Sequence, residues 1–140
     1  MKKLSKIFEV KQSVVYSCIF LFAIIVSFTA TNNPFLIGNT GVDSSVFNYI
    51  ARVILKGGMP YRDTFDHKGP LIYLIDALGQ LIHESLGIWF IELAFLFVIF
   101  ILAYKIAKLI GCNNSRSLLV VLVWALSMSL YFHGGHLVVE

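Results

Sequence analysis

Three blocks of this chain are too apolar, over too great a length, to remain in water, and they bracket one long polar stretch. Residues 13–30 carry no charge. At about 1.5 Å per residue a helix there reaches roughly 27 Å, enough for a thin hydrocarbon core. Residues 88–104 are apolar except for Glu92, and 117–132 form the third block. Apolar residues gathered in blocks rather than in amphipathic periods argue for bilayer spans. Composition agrees: 58% of residues are apolar and 14% charged, where soluble domains carry roughly 25% charge. A net charge of +3, dispersed along the chain, gives no basis for nucleic-acid binding. Cys18 and Cys112 lie in or beside apolar blocks, without metal-ligand spacing, and no disulfide is expected between them.

Charge distribution sets the expected topology. The first twelve residues hold Lys2, Lys3, Lys6 and Lys11 against Glu9, and should stay in the cytoplasm. A cleaved signal peptide fits 13–30 poorly, because the run exceeds an h-region of about 7–15 residues and lacks a good small-x-small site. Residues 31–87 then form an external loop with two amphipathic juxtamembrane helices. In the first, about 43–56, Asp43 can cap the N-terminus. Val46, Phe47, Ile50, Val53 and Ile54 make one face, and Gly57-Gly58 stops it. Pro70 opens the second, about 70–84, where Asp76, Gln80 and His83 oppose Leu71, Leu74, Ile75, Leu78, Leu81 and Ile82. Burying Asp76 in lipid would cost roughly 2.5–3.5 kcal/mol, and the segment is short for a span. It is therefore expected to be interfacial or shallowly re-entrant. The alternative, a short span packed against protein, would reverse every later side assignment. Lys105, Lys108 and Arg116 favour the first arrangement, which keeps them in the cytoplasm. The expected fold is an all-α membrane protein with about three transmembrane helices (13–30, 88–110 and 117–132). A cytoplasmic loop spans 111–116, and 133–140 begin a second external loop. The location is the cell membrane, multi-pass, with a cytoplasmic N-terminus.

The polar stretch at 41–71 is where such a protein keeps its chemistry. Asp43 is either a general base for an acceptor group or simply a helix cap. The run from Tyr61 to Pro70 is the densest in polar groups. Arg62 and Lys68 suit a phosphate or pyrophosphate, since Lys68 directly precedes a helix N-terminus, itself an anion site. The bland reading is a solvated loop with weak surface ion pairs. Asp63, Asp66 and His67 are further candidate substrate-binding groups. They also offer oxygen and nitrogen ligands to a divalent cation, which is possible here, though their spacing specifies no metal and no cofactor is certain. His133 and His136 fit an interfacial turn better than a metal site.

Asp43 at a surface helix, then Gly58-x-x-Tyr61-Arg62-Asp63, then His67-Lys68-Gly69-Pro70-Leu71-Ile72-Tyr73, resembles the N-terminal portion of C-type polytopic membrane glycosyltransferases. These are the protein O-mannosyltransferase and aminoarabinose transferase-like enzymes. The resemblance implies transfer of a sugar from a polyprenyl-phosphate donor to a cell-envelope acceptor on the outer membrane face. It makes Asp43 the acidic residue of the first loop needed for transfer, Lys68 the group meeting the lipid phosphate, and Glu140 an acidic residue of the second external loop. Ser44 and Gly69 depart from that pattern, which often has a second acid and a second proline there. The chain covers only the opening part of such an enzyme and by itself should be inactive. The alternative function is a non-catalytic membrane subunit or remnant that binds a lipid-phosphate carrier or partner helices.

Overall fold

The computed structural model describes residues 11–30, 33–35 and 42–132, with the side chains of all but 42, 43 and 130–132. Five helices are present among them: α1 (Gln12–Ser27), α2 (Val42–Leu55), α3 (Pro70–Ile82), α4 (Gly87–Leu109) and α5 (Asn114–Phe132). The described residues contain no β-strand. They fall into two compact units, one built from α1, α5 and α4 from Leu93 onward, the other from α2, α3 and the start of α4.

In the first unit Val15, Ile19 and Ala23 of α1, Leu96 and Phe100 of α4, and Val121 and Ala125 of α5 make one core. Small residues recur in it (Ala23, Ala103, Ala125), which lets helices approach closely and gain dispersion contacts. Phe20 meets Phe97 edge to face at 5.4 Å. One end of the unit is polar: the Tyr104 hydroxyl donates to Asn114 Oδ1 at 2.9 Å and stands 3.2 Å from Gln12 Oε1. Asn113 caps α5, its Oδ1 accepting from the Arg116 amide at 2.9 Å. Phe20, Leu21, Ile25, Leu102, Ile106 and Val123 are all exposed, so the unit is apolar outside as well as inside.

Three crossing helices were the expectation; one described helix, α4, is long and apolar enough to cross a membrane. The difference lies at the helix ends. The α1 ladder stops at Ser27, where the Ser27 and Thr29 hydroxyls donate to the Ile24 and Val26 carbonyls, each at 2.7 Å. Such side-chain bonds compete with continuation of the ladder. The first turn of α5 holds Asn114, Ser115, Arg116 and Ser117, which shortens its apolar part.

In the second unit α2 ends where Gly57 takes φ +85°. The Gly57 amide donates to Ile54 O and the Gly58 amide to Val53 O, both at 2.9 Å. This paired closure needs the left-handed residue that glycine supplies without strain. α3 opens on Pro70 behind Gly69, with no side-chain cap. Gln80 Nε2 donates to Asn48 O at 3.0 Å and Asn48 Oδ1 at 3.1 Å, and Arg52 pairs with Glu84 at 3.6 Å. These contacts advance together along both chains, so α2 and α3 run in the same sense. The turn into α4 is formed by His83, whose Nδ1 accepts from the Leu86 amide at 3.1 Å. Gly79 and Gly87 are in backbone contact there, with no room for a Cβ on either.

Candidate functional site

Since α2 and α3 run in the same sense, their first turns lie at one end of the pair, and the segment joining them must travel back along it. That return is the polar run singled out in the sequence. It is a built loop, pinned by short-range bonds. Asp63 Oδ2 accepts from the Met59 amide at 2.8 Å, and the Asp63 amide donates back to Met59 O at 3.0 Å. Gly58 is required beside it, because a Cβ there would meet Val53 Cγ1 at 2.5 Å. Tyr61 holds φ +65°, unusual for a residue with a side chain, and its hydroxyl donates to the Lys68 carbonyl. The Tyr73 hydroxyl, on the first turn of α3, donates to Asp66 Oδ2 at 2.8 Å and lies 3.3 Å from that same carbonyl. Tyr61 and Tyr73 stack edge to face at 6.1 Å, and Phe47 of α2 closes over Tyr73 at 5.9 Å.

The residues expected to bind substrate therefore divide. Arg62 and Asp63 face each other in a two-pronged pair, Nε to Oδ1 at 3.0 Å and Nη2 to Oδ2 at 2.7 Å. The guanidinium's hydrogen bond, aided by the Met59 amide, holds the Asp63 carboxyl down at about 2, while Arg62 is raised by the same bond. Arg62 is thus engaged within the loop. Asp66 is occupied by Tyr73 and by the amide and ring of His67. Lys68 is half-buried at the start of α3 and makes no ion pair among the described residues. Asp43 stands in the first turn of α2, which begins at Val42, rather than at a cap before it. It shares the Lys68 end of the pair, and its carboxylate lies outside the described side chains. Glu140, His133 and His136 also lie outside the described residues. No group of three or more His, Cys, Asp or Glu among the described residues is arranged to hold a metal. Of the cation ligands considered in the sequence, Asp66 and His67 are in contact, whereas Asp63 points to Arg62 and the Met59 amide.

Several features escaped sequence reading. Tyr73 is fully buried, and burial together with its bond to Asp66 raises its phenol. The Asn48–Gln80 bond joins residues 32 apart, with no local signal. The polar side of α3 is turned inward against α2, while Leu71, Leu74, Leu78, Leu81 and Ile82 are all exposed. Periodicity had separated the two faces without saying which one faces protein. A shallow cavity of about 440 Å³ at the opposite end is lined by Arg52, Leu55, Lys56, Gln80 and Glu84, but Arg52 there is already paired.

The comparisons with known proteins change the reading of this loop. The family model that matches, over residues 5–139, is described as "Putative competence-induced protein Ccs4 N-terminal domain". No curated protein and no solved structure matches the chain. The match overturns the glycosyltransferase resemblance. An acid near a helix start and a basic-proline element are short patterns, and a membrane loop can acquire both without common descent.

Proposed function

From the chain's membership of the competence-induced Ccs4 N-terminal domain family, whose description names no reaction, we propose that it is a non-catalytic multi-pass membrane protein whose α2–α3 pair lies on the bilayer and engages a phosphate-bearing lipid. The observation that carries this reading is the orientation of α3. Its polar side chains Tyr73, Asp76 and Gln80 turn toward protein, and its leucine face is left outward. A 13-residue helix with such a face suits the headgroup–acyl boundary rather than a crossing. Lys68 stands at the start of that helix, where uncapped amides and the helix dipole also favour an anion. The exposed apolar rims of α1, α4 and α5 support a bundle in which all three cross, with the Lys105 and Lys108 end cytoplasmic. A second reading keeps sugar transfer from a polyprenyl-phosphate donor. It draws on Asp43 and Lys68 sharing one end of the pair, and predicts that Asp43→Asn lowers transfer by about 10²–10⁴ in native membranes.

The lipid reading is tested in vesicles with a polarity-sensitive dye on the Leu78→Cys variant, in a background lacking Cys18 and Cys112. Brominated lipid should quench that dye and spare one on Ser45→Cys. Lys68→Ala should weaken binding of a polyprenyl phosphate roughly 10- to 150-fold, with the quenching unchanged. A Leu78 dye that is quenched only from water removes the surface helix, and unchanged phosphate affinity in Lys68→Ala removes the headgroup contact.

A further inference from the structure

Asp76 follows Tyr73 by three residues and precedes Gln80 by four, so it shares the helix face that these side chains turn toward α2. It is 8% exposed. Among the described residues it makes no hydrogen bond and no ion pair. Its neighbours on that face include Ala77, also buried. An ionised carboxylate in such a setting is costly, whereas the protonated acid is tolerated. Among the described residues, the elements around α3 offer no compensating cation. On α2, Arg52 is paired with Glu84, Lys56 lies beyond the C-terminus, and Asp43 sits in the first turn. In the loop, Arg62 is held by Asp63, Asp66 is bonded to Tyr73 and His67, and Lys68 forms no ion pair with Asp76. The start of α4 brings the carboxyl-bearing Glu92, and Tyr73 donates to Asp66 instead.

We propose that the α2–α3 pair is a proton-sensitive clasp, closed while Asp76 holds its proton and loosened when Asp76 ionises. Burial lifts this carboxyl from 3.8 to about 6. The closed pair therefore binds the proton more tightly than the open one, so closure is favoured as pH falls and weakened as pH rises through about 6. Between about pH 4.5 and about pH 7.5 the opening equilibrium should rise roughly 25-fold. The clasp stands whether or not the leucine face meets lipid.

Ala51, fully buried on α2, provides the reporter. The full chain in vesicles carries Ala51→Cys with Cys18→Ser and Cys112→Ser, and maleimide labelling is normalised at each pH to Ser45→Cys. Normalised labelling should climb across that window, and Asp76→Asn should leave it slow and flat. A flat profile with Asp76 present overturns the clasp, as does a profile that Asp76→Asn leaves unchanged. If Asp76→Asn labels at the control rate at every pH, Asp76→Leu is measured instead. Slow, flat labelling in that variant supports the clasp, and a retained pH dependence overturns it.

Discussion

The loop between α2 and α3 is organised by a few side chains, and the Arg62–Asp63 pair is the most sharply testable. Asp63 is exposed, yet its carboxyl sits at about 2 because Arg62 and the Met59 amide both favour the charged form. A depressed folded value means that the contribution is present above the unfolded 3.8 and is lost as pH falls through about 2. Carbon NMR of the Asp63 carboxyl should give a midpoint near 2, moving up toward 3.8 in Arg62→Gln. About 1 M salt should move it the same way, since the pair is open to solvent. A midpoint already at the ordinary value in the unaltered protein would mean that the two-pronged contact is not populated. Asp76 has the opposite sign, so acid weakens one of these two sites while it tightens the other.

Among the elements, the turn from α3 into α4 is the most constrained. Gly79 and Gly87 touch backbone to backbone, and a Cβ at Gly87 would overlap the Gly79 carbonyl oxygen, far inside van der Waals contact. A Cβ at Gly79 would meet Ile88 Cγ1 at 2.7 Å and its amide nitrogen at 2.9 Å. Backbone cannot yield as a flexible side-chain tip can. Gly87→Ala should therefore cost at least about 1–3 kcal/mol, the usual range for overpacking. Gly69→Ala should cost far less, because nothing lies within 4 Å of a Cβ there. Thermal unfolding of both variants in the same detergent provides the comparison, and equal melting shifts would contradict the close approach.

For the molecule as a whole, the proposed topology has α1, α4 and α5 crossing the membrane. It leaves Cys112 in the cytoplasmic loop after α4, and Ser85, in the turn before α4, outside. A membrane-impermeant thiol reagent on intact cells should label Ser85→Cys at once. In a Cys18→Ser chain, Cys112 should label only after permeabilisation. The reverse pattern would mean that α3 crosses, and would invert the assignment from Lys105, Lys108 and Arg116.

The sequence alone determined the features that follow from local backbone rules. The helical segments could be read from the periodicity of 43–56 and 70–84 and from the apolar blocks. The stop at Gly57-Gly58 and the start at Pro70 could be read because φ preference and a missing amide act on their own neighbours. The same reading did not place the ends of the apolar helices, because an apolar run does not reveal where its hydrogen-bond ladder stops, as α1 does at Ser27. The candidate site was visible only as a list of polar residues. The tertiary structure decided which of them remain available. Arg62 is held by Asp63, Asp66 by Tyr73, and the polar side of α3 is closed against Asn48 from 32 residues away, with Asp76 buried on that face. Those outcomes depend on which side chains come within about 3 Å of one another in space, a quantity that spacing along one helix does not contain.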